Sequence, residues 1–153
     1  MNPYKIKKAN SSNIIDLLNI EKRCFLKRQR STTSSMKYSL KSKRQSVWFA
    51  YLKDKNNKST IAGALILRHN NLSIRIFSIA ILPEFQNLGL GSILLNFAEN
   101  IAIKEKKSFI YLEASKNNKK LIQWYKNKGF KTFKILKDYY ETNYDALQMK
   151  KIL

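Results

Sequence analysis

Two of the four glycines in this chain stand one residue apart, Gly89 and Gly91, within "PEFQNLGLGSILL". Glycine costs backbone entropy and is kept where a Cβ would be in the way. The stretch reads as a strand end, a short turn, two glycines and a helix start. Free N–H groups at a helix start, with no Cβ beside them, make a site for an anion such as phosphate. The Walker loop requires Gly, four residues, then Gly-Lys-Ser/Thr, and no such run exists here. The dinucleotide fingerprint requires Gly or Ala three residues after Gly91, where Leu94 stands. A plain flexible turn is the alternative. Other reactive side chains are few. Cys24 is the only cysteine and His69 the only histidine, so no internal disulfide and no Cys/His zinc site can form within this chain. No metal is expected, and Cys24 and His69 read as structural.

The elements that must position the glycine turn follow from periodicity. "PYKIKKA" (Pro3–Ala9) reads as a first strand. Ser11 or Ser12 offers an N-cap to a helix with Ile14, Leu17, Leu18, Glu21 and Phe25 at helical spacings. "SSMKYSLKSK" reads as a second short helix. "SVWFAYL" and "TIAGALILRH" form a strand pair across the polar turn "KDKNNKS". In "LSIRIFSIAIL", Leu72, Ile74, Ile76 and Ser78 alternate with Ser73, Arg75, Phe77 and Ile79, a strand period. From Gly91 to Lys106, Leu94, Leu95, Ala98, Ile101 and Ala102 keep helical spacing. "SFIYLEA" (Ser108–Ala114) is a strand that ends near Glu113. Asn117 or Asn118 caps a helix bearing Leu121, Trp124 and Tyr125, and Gly129 stops it at C′. "FKTFKILKDYY" and "YDALQMKKIL" close as a strand pair. Helices and strands alternate in the middle and hairpins lie at the ends, so the fold is α/β (α+β) with a mixed sheet.

Composition bounds the rest. At 153 residues and 44% apolar the chain suits one globular domain. "MNPYKIKKANSSN" has no apolar core of a signal peptide. The longest apolar run, Ile61 to Leu67, is far short of the roughly 20 residues of a membrane span. A soluble, cytoplasmic protein without membrane contact is expected. The net charge of +20 has two readings, a composition rich in Lys, Asn and Ile or an anionic partner such as nucleic acid. The excess is local in part, since Lys22 to Lys53 holds ten Lys or Arg and no acidic residue.

Gln86-Asn87-Leu88-Gly89-Leu90-Gly91 resembles the Q/R-x-x-G-x-G/A motif of the GNAT superfamily of N-acetyltransferases. An apolar strand ending at Ile79-Ala80-Ile81 precedes it, as in that family. "LEASKNNKKLIQWYKNKGF" resembles the family's LEVR-x-SN…LY…GF segment, and "DYYETNYDALQMKKIL" the close of its protein N-terminal and ribosomal-protein-alanine acetyltransferases. The likeness is strong over 72–153 and holds in element order before that. It implies a single GNAT domain over 1–153, with a mixed sheet of about seven strands and helices on both faces. It further implies acetyl-coenzyme A as cosubstrate, held by the backbone of Ile79, Ala80 and Ile81 and by Gln86, Asn87, Leu88, Gly89, Leu90, Gly91 and Ser92. Two departures bear on the acceptor. Ser115 replaces the Arg common two residues after the strand Glu, and Phe25-Leu26-Lys27 replaces a Phe-Pro-Trp-like turn.

Acetyl transfer needs a neutral amine. An α-amino group, with a pKa near 8, is deprotonated more easily than lysine by roughly 3 kcal/mol. The resemblance makes Glu113 the general base and Tyr125 the acid that protonates the departing thiolate. Otherwise Glu113 is a solvent-facing carboxylate near Lys116 and Tyr125 a core aromatic. Asn118 matches a coenzyme-contacting residue and is also a helix cap. Phe25, Tyr139 and Tyr140 match acceptor-contacting positions, though the tyrosines could simply end a strand. Lys27, Arg28, Arg30 and Lys37 would border the acceptor groove and favour acceptors with acidic residues near the amine. Three functions are weighed: acetylation of a protein N-terminus, a ribosomal protein's among them; acetylation of a small amine or a lysine; and a basic RNA- or ribosome-binding module. Nucleic-acid contact through the basic surface is compatible with the first two and not required.

Overall fold

The computed structural model describes residues 3–153, the Arg28 side chain excepted. Its strands are β1 (Tyr4–Lys8), β2 (Gln45–Lys53), β3 (Ser59–His69), β4 (Ser73–Ile81), β5 (Phe109–Ser115), β6 (Lys131–Glu141) and β7 (Tyr144–Ile152). Its α-helices are α1 (Ile14–Cys24), α2 (Thr33–Lys41), α3 (Leu90–Lys104) and α4 (Lys119–Asn127). The strands form one sheet in the order β1-β2-β3-β4-β5-β7-β6. Only the β4–β5 pairing is parallel, which is the mixed sheet expected from a middle of alternating elements between hairpins.

Each face of the sheet is covered by a helix pair. Leu90, Leu94, Leu95, Ala98 and Ala102 make the buried stripe of α3, and with Ile122 and Tyr125 of α4 they pack on Leu65, Leu67, Ile74, Ile76, Ile110 and Leu112. On the other face Leu17 and Ile20 of α1 and Met36 of α2 meet Val47, Phe49, Ala64 and Ile66. The apolar run Ile61–Leu67 is thereby explained. It lies in a central strand whose residues Ala62 to Leu67 are all buried, because a strand covered on both faces has no polar side. No helix among the described residues is long and apolar enough to cross a membrane.

Three local features differ from the sequence reading. Neither Ser11 nor Ser12 caps α1, whose N-cap is Asn13; a 3₁₀ turn, Ser11–Asn13, precedes it and is capped by Asn10, which accepts from Ser12 N–H at 3.0 Å in a capping box with Asn13. The single alternation expected through β4 is interrupted, since Leu67 pairs with Ile76 and Ile66 with Ser78. Phe77 is the extra residue of a β-bulge, which moves Ile79 and Ile81 onto the face of Ile74 and Ile76. Leu72 lies outside the strand and is exposed. The third feature is in β6. Between the pairs Leu136–Ala146 and Glu141–Tyr144, four residues of β6 oppose Asp145 alone. Lys137 to Tyr140 therefore bulge from the ladder, with Asp138 at φ 52°. The bulge is pinned by Asp138 N–H donating to Asp145 Oδ1 and Asn143 N–H to Asp138 Oδ1.

Candidate active site

The site begins where β4 and β5 part. Their ladder runs only from Ser73–Phe109 to Ile76–Leu112. Beyond it, Phe77 to Ile81 and Glu113 to Ser115 are not paired to each other. Backbone groups left unpaired along a gap suit an elongated ligand that can take the place of a strand. A cavity of about 590 Å³ opens in this gap. It brings together Phe25, Ile79, Glu113, Asn118, Tyr125, Tyr139 and Tyr140 from the residues singled out in the sequence. A second cavity, of about 580 Å³, adjoins it and shares Cys24, Phe25, Gln29, Ser115 and Asn118.

Glu113 alternates with Leu112 and Ala114, which face the α3/α4 core, so its side chain points to the α1/α2 side. There it is only 7% exposed and forms a two-pronged ion pair with Arg75. Arg75 Nη2 meets Oε1, and Nε donates to Oε2 at 3.3 Å. The alternative of a solvent-facing carboxylate beside Lys116 is thereby set aside. A carboxylate offers about four lone-pair positions, so the fork leaves acceptor capacity on both oxygens. Arg75 Nη2 also donates to Tyr139 Oη at 2.7 Å, which ties the β6 bulge to the same cluster. The bulge is what carries the tyrosines to the cavity; a regular β6 would place them along the sheet edge.

Tyr125 is held from the opposite face. Its ring packs against Phe130 at 5.6 Å and Trp124 at 4.9 Å between centroids. The turn that ends α4 fixes Phe130. Gly129, at φ 96°, lets Phe130 N–H reach the Tyr125 carbonyl and its own N–H reach that of Lys126, the Schellman pattern. The core role foreseen for this ring is real, and the same residue lines the cavity. Burial pushes its phenol well above the ordinary range, with a smaller push from Tyr140. Tyr140 is pushed up to about 12, by burial first and then by Tyr139 and Glu113. Both hydroxyls therefore hold their protons at neutral pH. Asn118 is the N-cap of α4, accepting from Leu121 N–H at 3.1 Å, and it also lines both cavities.

The glycine turn lies at the C-terminal end of β4 and is not part of the cavity wall. Gly89 caps α3 at φ 86° with no atom within 4 Å of where a Cβ would be. A Cβ on Gly91 would lie 3.5 Å from the Trp124 ring, an ordinary contact, so the protein itself does not demand that glycine. Asn87, at φ 61°, is also left-handed, and Gln86 Nε2 donates to the Ile81 carbonyl at 3.1 Å, fastening the turn to β4. Leu88 is exposed, Leu90 is the buried first residue of α3, and Ser92 is in the first turn of the helix. The side chain of Ala80 is buried toward α1, so only its backbone remains for a ligand. An open left-handed turn, free helix N–H groups and a strand gap together suit an elongated ligand that carries an anionic group such as phosphate.

Three residues on or behind the cavity wall were not assigned roles from sequence. Arg75 is one, and a lone Arg inside "LSIRIFSIAIL" was a usable signal, because a charge in an apolar strand needs a partner. Arg68 stacks over Phe77 at 3.8 Å. Glu21, placed on the helix face by its spacing, is buried and accepts from Ser31 N–H at 3.2 Å; burial raises its pKa. Of the basic residues expected at the groove, Arg30 does line the cavity, and it also donates to the carbonyls of Phe25 and Lys22 at the end of α1. Arg28 falls outside the described side chains. Cys24 lines the cavity, contacts the Ile81 carbonyl at 3.4 Å and has its thiol pushed up to about 11 by burial. His69 lies between Ser46 and Glu105, at 2.8 and 3.0 Å, away from this site.

Comparison with known proteins gives the family and the fold. Residues 14–130 match the family model described as Acetyltransferase (GNAT) family. A 76-residue stretch is 40% identical to an N-alpha-acetyltransferase of Sulfurisphaera tokodaii, covering 48% of this chain and 45% of that relative, less than half its length. The fold matches a ribosomal-protein-alanine N-acetyltransferase from Escherichia coli at a TM-score of 0.83, with 21% identity over 97% of this chain and 93% of the other. It also matches a GNAT family acetyltransferase from Elizabethkingia anophelis with acetyl-CoA bound, at a TM-score of 0.79 and 17% identity, over 100% of both chains. The family match covers most of the parted sheet, the glycine turn and α4, and the chain belongs to the GNAT acetyltransferase family.

Proposed function

We propose that this protein transfers the acetyl group of acetyl-coenzyme A directly to the α-amino group of a protein N-terminus. The observation that carries the reading is a cavity, in the gap between β4 and β5, lined by both Glu113 and Tyr125. The coenzyme supplies an activated acetyl thioester, with its pyrophosphate at the Gly89–Gly91 turn and its arm along Ile79–Ile81. Glu113 takes a proton from the acceptor ammonium, directly or through water, which frees the lone pair. A C–N bond then forms as the C–S bond breaks, and the nitrogen gives up its second proton, through solvent, to the phenolate that Tyr125 becomes. Tyr125 holds a proton that burial keeps on the phenol, and it delivers that proton to the departing sulfur. Cys24 is the one thiol beside this path, and with its pKa near 11 only about one in 10⁴ is thiolate at neutral pH. That favours direct transfer over a route through an acetylated cysteine.

An N-terminus as acceptor is supported by the lower cost of deprotonating an α-amine than a lysine. It is also supported by the adjoining cavities, which make the site an open groove between Phe25 and the β6 bulge, and by the name of the 40% identical relative. The test is acetyl-coenzyme A turnover against a panel of peptides with free or blocked N-termini, polyamines and lysine side chains. Turnover of free-N-terminal peptides supports the reading. Exclusive turnover of small amines or lysines would move the acceptor class.

A further inference from the structure

At the far end of α3 from the glycine turn, about 20 Å away for a helix of 15 residues, lies a separate cavity of about 550 Å³. Three lysines line it, each from a different part of the chain: Lys8 ends β1, Lys43 precedes β2 and Lys104 closes α3. Glu105 is the one carboxylate among the described residues in its wall, and it already faces His69 Nδ1 at 3.0 Å and Lys107 Nζ at 3.7 Å. No salt bridge among the described residues involves Lys8, Lys43 or Lys104. Lys104 also suits the negative end of the α3 dipole, but Lys8 and Lys43 have no such account. Like charges gathered in a concavity raise the local potential and draw an anion. The floor between them is polar and fixed. Ser46 is 5% exposed, accepts from Trp48 Nε1 at 2.9 Å and lies 2.8 Å from His69 Nε2, so Trp48, Ser46, His69 and Glu105 form one hydrogen-bonded chain. A Ser-His-Glu chain can activate a nucleophile, but this hydroxyl is buried and its oxygen takes the indole N–H, so the chain holds the wall in shape. Trp48 is braced edge-on by Phe97, at 4.9 Å between centroids, and with Ile101 gives the cavity an apolar side.

We infer that this cavity binds a phosphorylated small molecule, with its phosphates on Lys8, Lys43 and Lys104 and its organic part against Trp48 and Ile101. Ammonium groups meet phosphate oxygens as point charges, whereas a carboxylate is better matched by the planar fork of arginine, and no arginine among the described residues lines this cavity. Its volume falls within the roughly 300–1,000 Å³ of small-molecule sites, and a wall with both charged and apolar parts suits a nucleotide-sized ligand better than a bare ion. The site shares no lining residue with either cavity at the β4–β5 gap, so it stands whatever acceptor the transferase uses.

The experiment titrates ADP, pyrophosphate and inorganic phosphate into the whole chain, with and without excess coenzyme A, which competes for the β4–β5 gap. The chain has two tryptophans, so in Trp124→Phe the remaining emission reports on Trp48 at this cavity. Two triple variants are compared in that background. One is Lys8→Ala, Lys43→Ala, Lys104→Ala; the other is Lys53→Ala, Lys55→Ala, Lys58→Ala around the β2–β3 turn, which loses the same charge elsewhere. The three cavity lysines are exposed, so their truncation leaves the core intact, and thermal melts check this. ADP should bind in one saturable step that coenzyme A does not abolish, more tightly than pyrophosphate, with phosphate weakest. An exposed charge pair contributes up to about fivefold in affinity, so loss of the three cavity lysines should weaken ADP binding by about a hundredfold, while the turn variant stays close to its parent. Equal weakening in both triple variants, no saturable ADP binding, or binding that coenzyme A abolishes overturns the inference. Single-stranded RNA that binds through the same three lysines more tightly than ADP would assign the surface to a nucleic-acid backbone and also overturn it.

Discussion

Replacing Glu113 by Gln separates its catalytic part from its structural one. Gln keeps the shape and one carbonyl oxygen for Arg75 but loses the charge and the basicity. Both members of the ion pair are mostly covered, Glu113 at 7% and Arg75 at 18% exposure, so the pair is not heavily screened. Removing one partner of a buried pair outright costs about 3–5 kcal/mol. Here Arg75 keeps Tyr139 Oη and one acceptor on Gln, so the loss is nearer the value of a hydrogen bond to a charged group, about 1.5–3 kcal/mol. For a chain of this size that lowers Tm by about 3–12 °C. A missing general base lowers the chemical step by about 10²–10⁴-fold, or about 3–5 kcal/mol of barrier. The assay is single-turnover acetylation at 25 °C, with both substrates saturating, beside urea or thermal unfolding of the same preparations. Arg75→Gln serves as the paired control, since it breaks the same contact while leaving the carboxylate. A Glu113→Gln rate within threefold of wild type, with chemistry limiting, refutes the base assignment. A fully retained Tm refutes the ion-pair account.

Tyr125→Phe keeps the contacts with Trp124 and Phe130 and should melt close to wild type, while kcat falls by about 10²–10⁴-fold in stopped-flow thiol release. Because its phenol pKa is raised, the proton stays in place as pH rises, so wild-type kcat should show no alkaline loss from this group below pH about 10. Acetyl-coenzyme A at 100 times its Kd should stabilise the protein by about 2.7 kcal/mol in thermal shift. Gly91→Val should remove that gain by placing a branched side chain at the open helix start; an unchanged ligand shift would contradict the pyrophosphate site. Glu21 has a raised folded pKa, so its ionisation opposes folding, and that cost grows as pH climbs above the ordinary carboxylate range. Glu21→Gln should therefore gain stability over wild type as pH goes from about 4.5 to 8, read by urea unfolding at each pH; a constant difference would contradict the burial argument.

Much of this site was legible in the chain because its signals are local. The glycine turn, Gly129 at a helix end and the change of period after Pro83 each depend on a few consecutive residues. They located α3, α4 and the strand bearing Glu113 to within about two residues. The bulges were not legible. An extra residue at Phe77 or Lys137–Tyr140 is defined by the partner strand, and the alternation of side chains alone carries no record of it. The setting of Glu113 was hidden for the same reason. Lys116 is near in sequence, but Arg75 faces it only because β4 and β5 pair in parallel. The Asn10 cap was missed because Ser11 and Ser12 satisfy the same local rule, and the choice is made by which side chain reaches an N–H group.

The central claim is direct transfer of acetyl to an α-amine in the gap between β4 and β5. Intact-mass analysis of protein and peptide together, after a single turnover with acetyl-coenzyme A, tests it most directly. The account predicts one acetyl group on the peptide N-terminus, none on the protein, and equivalent release of thiol. It also predicts that a Cys24→Ala variant turns over like wild type. An acetylated protein that forms and decays at the rate of product formation, or loss of turnover in a folded Cys24→Ala, would contradict it.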